Sequence, residues 1–407
     1  MNVLFLSLLD FSNIEESNIY TDLLRKFKEY GHKIYVVSPV ERRKHRVSEI
    51  LGNDGVKILK PKILNIQKTN LIEKGISTIL LEYIILCHIK RYFSDVKFDL
   101  VIYATPPVTF EKIISFVKRR DSAYTYLLLK DIFPQNAVDM GMLSQQGWKK
   151  FLLNFFRIKE KKLYEISDKI GCMSEANKKF ILKNNPEIKP EAVEVCPNSI
   201  EPIKKEIKTK DLVSIRKKYN LPSKSRIFIY GGNLGRPQGV KFIIECLKTQ
   251  LGRKDRYFLI IGNGTEFKTL EEFIKQYRTT NIELRQGLPK NEYDEILSAC
   301  DVGLIFLDYN FTIPNFPSRL LSYMQYSKPV LAATDMATDV GSTILEGNFG
   351  WWVPSNEVEK WSNMVEYICG LGDIKELGKN AFNYLNDYFS VENSYRIIMN
   401  SAIGNKV

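Results

Sequence analysis

Short apolar runs alternate along this chain with longer stretches whose apolar residues recur every three or four positions, and polar or glycine-containing turns separate the two patterns. Runs at residues 2–9, 33–38, 99–103, 124–129, 169–173 and 193–196 predict buried strands. Helical periodicity fills the intervals at about 18–30, 71–93 and 147–168. Strand, helix and strand in that order predict a parallel sheet. After a Lys/Glu-rich stretch, 201–210, which contains Pro202 and has no apolar period, the same alternation restarts. That stretch is expected to be a linker. Strands are expected next at 227–230, 256–261, 282–285, 302–307 and 330–334, and the chain closes with an amphipathic helix at 358–371 and a final pattern from 381 onward. Its 407 residues suffice for two domains, each with its own core.

In open parallel sheets, ligands bind at the C-terminal ends of the strands. Three consecutive strand ends of the second half carry glycine: Gly231 to Gly239, including Gly232, Asn233, Gly235, Arg236 and Gln238; Gly262-Asn263-Gly264; and Gly287 before Leu288. The fourth leads into Ile313 to Val330, where Pro317 precedes a helix expected to open at Ser318. Unpaired N–H groups of Ser318, Arg319 and Leu320 would face an anion there, with the Arg319 cation beside them. An ordinary strand–helix junction with a Ser cap explains this stretch equally well when it is taken alone. Four such ends on one edge favour a nucleotide. In the first half, residues 10–18 contain no glycine, which argues against a nicotinamide site. The strand at 124–129 delivers Lys130 and Asp131 to the same kind of edge, where charge carries a desolvation cost. For Asp131, a helix cap or an ion pair with Lys130 competes with a chemical role.

The formal net charge of +12 points to a polyanionic partner, which could be nucleic acid, an anionic membrane face or phosphorylated substrates. No nucleic-acid recognition motif accompanies it. Three histidines (His32, His45, His88) and the absence of an Asp-x-Asp pair leave little support for a metal site or a Ser-His-Asp hydrolase. The six cysteines are scattered and read as reduced core thiols. No apolar run is long enough to span a bilayer, and the first nine residues read as a core strand rather than a leader. Four basic residues within 41–46 read as a solvated loop. The helix at 147–168 sets Trp148, Phe155 and Phe156 among Lys149, Lys150 and Arg157. It suits an anionic bilayer surface, or equally the packing of one face on its own domain with lysines in solvent.

Several stretches together carry a resemblance: residues 31–38, Asp131-Ile-Phe-Pro-Gln135, Pro197-Asn198, Gly232 to Gly239, Gly262-Asn-Gly264, Pro317 to Met324, and Lys328-Pro-Val330. In order and spacing the chain is similar to GT-B-fold glycosyltransferases of family 4, in the branch that builds bacterial capsule, O-antigen and related surface polysaccharides. The resemblance implies an α/β fold of two Rossmann-like domains facing a central cleft. Its domains would be 1–200 together with a C-terminal helix from about 388 to 407, a linker at 201–210, and a nucleotide-sugar domain at 211–387.

It further implies a retaining transferase that needs no metal or other cofactor, with a nucleotide-diphosphate sugar, UDP the expected nucleotide, as donor. The base would lie on Gly287 and Leu288. The diphosphate would meet Gly235, the Ser318 helix start, Arg319 and Arg236, and such preorganised donors stabilise leaving-group charge. Lys130 or Asp131 would orient the sugar or acceptor hydroxyl, with Asp131 the better proton acceptor. The acceptor would be a polyprenyl-diphosphate-linked saccharide at the inner face of the cytoplasmic membrane, where the enzyme would be held peripherally. The chain departs from the family at Pro314 and Ser322, where relatives carry an acidic pair that reaches the ribose, at Asn233 and Gln238, where they carry a diphosphate clamp, and at Lys130, where they often carry His. A sugar-nucleotide 2-epimerase of the same architecture, or a non-catalytic nucleotide-sugar-binding partner of another transferase, is the alternative.

Overall fold

A computed structural model describes residues 1–44, 47–52, 55–65, 71–203 and 209–404. The chain forms two compact units, Met1–Glu201 with Val391–Val407, and Pro202–Ser390. His45 and Arg46 of the basic loop and residues 204–208 of the expected linker lie outside the described residues. The helix Thr209–Lys218 begins inside that expected linker.

The first unit is built on an eight-stranded sheet in the order Val193–Val195, Lys169–Cys172, Tyr124–Leu129, Leu100–Ala104, Asn2–Leu6, Lys33–Val37, Val56–Lys60 and Glu49–Leu51. All pairs are parallel except the last, which is antiparallel. Alternate residues of each strand serve opposite faces. Val3, Phe5, Ile34, Val36, Leu100 and Ile102 pack with Leu23, Leu24 and Phe27 of the helix Thr21–Glu29, and with Tyr395, Ile398 and Met399 of the helix Val391–Gly404. Tyr395 meets Phe27 edge-on at 4.8 Å and stacks on Tyr30 at 4.2 Å. On the other face, Tyr35 packs against Phe93 at 5.4 Å. Lys159 ties three helices of this unit together, reaching Glu82 at 2.9 Å and Glu111 at 3.2 Å. The strands at 49–51 and 56–60, which follow the basic loop, are too short and too mixed to stand out by periodicity.

The second unit has six parallel strands in the order Ile282–Arg285, Arg256–Asn263, Arg226–Asn233, Val302–Phe306, Val330–Thr334 and Gly350–Pro354. Chain order reverses between the third and fourth, which makes the C-terminal end of Arg226–Asn233 the topological switch point, where such sheets bind ligands. Two of its strands run long and in register, so that Gly232 lies beside Gly262 and Asn233 beside Asn263. Beneath them the core is apolar and aromatic. Trp361, fully buried, packs 5.8 Å from Phe258 and 6.1 Å from Phe306. Trp361→Ala is expected to cost about 3–5 kcal/mol, read as a lowered urea midpoint for the unfolding of this unit. A loss under about 1 kcal/mol would contradict the packing described.

Candidate functional site

A cavity of about 450 Å³ opens at that switch point, lined by residues of the strand ends, of the helix Lys290–Ser298 and of the helix Arg319–Gln325. Its floor is bare backbone. At Gly262 an added Cβ would stand 1.9 Å from the Gly232 carbonyl oxygen, so only glycine lets these two strands run together to their ends. Gly232 has φ +132° and leaves room for the Arg319 guanidinium, whose Nη2 lies 3.2 Å from where a Cβ would be. Asn263 fixes the third strand end by accepting the Gly287 N–H at 3.2 Å.

Arg319 is the electrostatic centre of the cavity. Its guanidinium lies over the Tyr230 ring, 4.3 Å from the centroid. The Tyr230 hydroxyl donates to the Asn233 carbonyl at 2.6 Å, and the Tyr323 hydroxyl donates to the Leu304 carbonyl at 2.9 Å, so the surrounding phenols are anchored to backbone. The Arg319 Nη1 is buried without a hydrogen-bond partner. Among the described residues no carboxylate forms an ion pair with it. A buried, incompletely paired cation at a cavity wall is costly unless an anion arrives.

Of the residues singled out in the sequence, Gly232, Asn233, Gly262, Asn263, Gly287, Leu288, Arg319 and Ser322 line this cavity together. Gly235, Arg236, Gln238, Gly264, Ser318 and Leu320 are not among its lining residues. The reasons are local. The Gly235 N–H, expected to meet phosphate, donates to Gln238 Oε1 at 2.9 Å, and Asn233 Nδ2 donates to the same oxygen at 3.3 Å, so Gln238 braces the loop. Gly264 packs under Leu234, whose carbonyl oxygen would lie 2.1 Å from an added Cβ. The Leu320 N–H, expected to be unpaired, donates to the Pro317 carbonyl at 3.2 Å, and its side chain is buried in the core. Ser318 makes no side-chain cap bond, and Arg236 is exposed on the turn Arg236–Gln238. The sequence reading missed Tyr293, Lys290 and Asp294. They lie on the first turns of a helix, and the clue to them was its position directly after the Gly287 strand end.

In the first unit, Lys130 and Asp131 are half-buried at the end of Tyr124–Leu129. Thr105 ties this corner together, accepting the Lys130 N–H at 3.2 Å and donating to the Asp131 carbonyl at 3.1 Å. The Asp131 carboxylate accepts from Asn136 Nδ2 at 2.5 Å. Burial pushes the Asp131 carboxyl up to about 6 and lowers Lys130. A second cavity of about 430 Å³ lies where Asn2–Leu6 and Lys33–Val37 end, lined by Ser7, Asp10, Tyr20, Glu41, Arg43 and Lys44 among others. Fully buried Lys60 bonds Asp10 and, at 2.9 Å, the Phe11 carbonyl. Burial works against charge on Asp10, yet Lys44 and Lys60 outweigh it and hold that carboxyl below the usual range. Arg43 and Lys44, read from sequence as solvated, are thus ion-paired cavity residues.

The helix Trp148–Ile166 divides its aromatics. Phe156 turns inward, 4.8 Å from Phe133, and packs with Ala137, Leu143 and Leu153, while Phe155 leans on it at 5.3 Å. Arg157 pairs with Glu160 at 3.1 Å and bonds Gln135, and Lys149 reaches the Gly141 carbonyl at 3.3 Å. The outward face is instead Trp148, Phe151 (80% exposed) and Ile158, with Lys150 beside them. Phe156 and Arg157 are therefore corrected from surface-facing to packing positions. Among the described residues, no helix is long and apolar enough to cross a membrane, and no group of three or more His, Cys, Asp or Glu could hold a metal ion.

Residues 213–381 match the family described as Glycosyl transferases group 1. "Probable glycosyltransferase WbjE" of Pseudomonas aeruginosa is 25% identical over 317 residues, which are 76% of this chain and 75% of that protein. Among solved structures, Anabaena HepE in complex with UDP-glucose aligns over 99% of this chain and 100% of its own, with a TM-score of 0.70 and 14% identity. WaaG, a glycosyltransferase involved in lipopolysaccharide biosynthesis, aligns over 97% and 99%, with a TM-score of 0.68 and 13% identity.

The raised Asp131 carboxyl has a measurable consequence. An Asp side chain ordinarily titrates near 3.9, so between about pH 4 and pH 6 the native chain holds a proton that the unfolded chain has released. Asp131 therefore contributes stability that is lost as pH rises through that window, and Asp335, which burial raises to about 6 as well, adds to the same fall. Chemical denaturation at a series of pH values checks this, and Asp131→Asn is expected to make that part of the profile shallower, leaving the share of Asp335.

Proposed function

We propose that this chain, a glycosyltransferase with the GT-B fold, transfers a sugar from a nucleotide-diphosphate donor, UDP-linked, to a lipid-linked saccharide during surface-polysaccharide synthesis. The observation that carries this reading is Arg319. Its unpartnered Nη1 at the wall of a glycine-floored cavity, at the switch point of the sheet, is a preformed site for an anion. The cavity volume is in the range of nucleotide-sized ligands, roughly 300–1,000 Å³. The family match over residues 213–381 and the UDP-glucose complex of HepE support the same assignment.

Breaking the bond between the anomeric carbon and the diphosphate oxygen leaves negative charge on the diphosphate. Arg319, fixed on Tyr230, meets that charge without reorganising, and a preorganised donor of this kind is worth about 100-fold or more in rate. Arg236, exposed on its turn next to Gly235, adds positive charge from the loop. We assign the reaction as metal-independent, with cations of the chain in the role of a divalent ion, and as retaining, as the resemblance implies. Asp131, held by Asn136, is the candidate group for positioning or deprotonating the acceptor hydroxyl. The polar cavity around Asp10, Tyr20 and Lys44 is the candidate seat for the acceptor saccharide.

A lipid-linked acceptor requires access to a bilayer. Trp148, Phe151 and Ile158 recur on one face of their helix, with Lys150 alongside, which suits shallow insertion at an anionic lipid surface.

In a thermal-shift panel of UDP, GDP, TDP and CMP on the whole chain, UDP at 100 times its dissociation constant should stabilise the fold by about 2.7 kcal/mol. Arg319→Met should weaken UDP roughly 10- to 100-fold. A folded protein that responds to none of the four would end the donor-site reading. Co-sedimentation with vesicles containing anionic lipid tests the membrane face, where replacing Trp148 and Phe151 together by Ser should lower binding about tenfold or more. Unchanged binding would remove this helix from the membrane surface.

A further inference from the structure

The second sheet has a cavity at its other edge as well. Where Val302–Phe306 and Val330–Thr334 begin, a space of about 310 Å³ opens that shares no lining residue with the glycine-floored cavity. Leu212, Val213, Ala299, Pro329 and Ile374 give it an apolar wall, and its charged residues are Arg216, Asp301, Lys328 and Lys375. Two of these satisfy each other. Arg216 donates to both Asp301 carboxylate oxygens, at 3.0 and 2.9 Å, and its Nε donates to the Ala299 carbonyl at 2.9 Å. Asp301 also accepts the Ile227 N–H at 2.7 Å. Lys375, its side chain 84% exposed beside Asp373, stays with water at the rim.

Lys328 is left over. An ammonium carries three N–H donors, and among the described residues this one makes a single hydrogen bond, to the Ser298 carbonyl at 2.7 Å, and no ion pair. Burial lowers the Lys328 ammonium from its usual range, and the Asp301 charge offsets this only in part. The hydroxyls of Ser223 and Ser327, also in the lining, bond no other described residue. A cation that has lost water without gaining a counter-ion is costly until an anion arrives.

The surroundings narrow which anion fits. One open positive charge balances one negative charge, and a second charge on the ligand would meet the Asp301 carboxylate. The rest of the wall is hydrocarbon, which favours an apolar body over a polar one. We propose that this cavity is a second ligand site of the chain, in which Lys328 binds the carboxylate of a small amphipathic acid while Leu212, Val213 and Ile374 cover its apolar body. The carboxylate oxygens take up the open Lys328 N–H groups, and charge-assisted hydrogen bonds of this kind set the scale of the preference. The site stands apart from the donor reading, since none of its residues belongs to that cavity.

The test is calorimetric titration of the full chain with phenylacetate and hexanoate, each beside its neutral amide, and with inorganic phosphate. Each carboxylate should bind roughly 10- to 100-fold more tightly than its amide. Lys328→Met keeps the apolar stem and removes the charge, and should bring that ratio down to about threefold or less. Lys328 also braces the Ser298 carbonyl, so Val213→Glu, at a wall position 62% exposed, serves as a second variant that leaves this brace in place. Its added negative charge should weaken the carboxylates about fivefold or more and the amides little. Equal affinities for carboxylate and amide in the natural chain, binding of neither, or phosphate binding more tightly than both carboxylates would overturn the assignment. A carboxylate preference that survives in Val213→Glu would place the binding elsewhere and overturn it as well. Titration with UDP reads the donor cavity separately, so the failure of one site is distinguishable from the failure of the other.

Discussion

The guanidinium of Arg319 lying on the ring of Tyr230 is the contact on which the proposed donor site of the second unit depends. A cation at the edge of an apolar sheet has to be desolvated in part, and the face of an aromatic ring is a surface that tolerates this without neutralising it. A carboxylate in the same place would have paired the cation within the chain and left less of its charge for a ligand. The tyrosine ring fixes direction, and the missing partner at Nη1 leaves the charge available.

The glycines follow from that choice. For the guanidinium to reach the cavity, the chain at Gly232 has to present no side chain, and for Gly232 to sit where it does, the neighbouring strand has to present none at Gly262. The repeated Gly-Asn pairs at 232–233 and 262–263 are one device used twice, in register. Glycine lets the backbones close up, and the asparagine that follows ties its surroundings, with Asn233 bonded to Gln238 and Asn263 to the Gly287 N–H. The loops are thereby held at native geometry by their own side chains rather than by the ligand.

Much of this was legible in the sequence, because the central strands of both sheets, such as Leu100–Ala104, Tyr124–Leu129, Val302–Phe306 and Val330–Thr334, are buried on two faces and appear as unbroken apolar runs. The edge of the second sheet was legible too, since glycine at three successive strand ends has few other uses. What escaped was decided by three-dimensional partners. Gln238 and Gly235 satisfy one another, and the first turn of Arg319–Gln325 tightens so that the Leu320 N–H is taken up by Pro317. Phe156 and Phe151 lie five residues apart on one helix, and nothing in their identity says which is covered by Phe133. Lys60 and Asp10 are fifty residues apart, so no local pattern could have paired them.

The helix Val391–Gly404 belongs to the first unit although the whole second unit precedes it in the chain. During synthesis residues 1–201 leave the ribosome before the second unit, yet the face completed by Tyr395, Ile398, Met399 and Ala402 stays uncovered until residues 391–404 emerge. The second unit is continuous in sequence and can finish while the first is still waiting. The interval during which Phe27 and its apolar neighbours stand open to water therefore depends on how long the ribosome takes to translate nearly two hundred residues that contribute nothing to that surface. A slow codon late in the message would lengthen the exposure, and a nonsense codon shortly before position 391 would make it permanent.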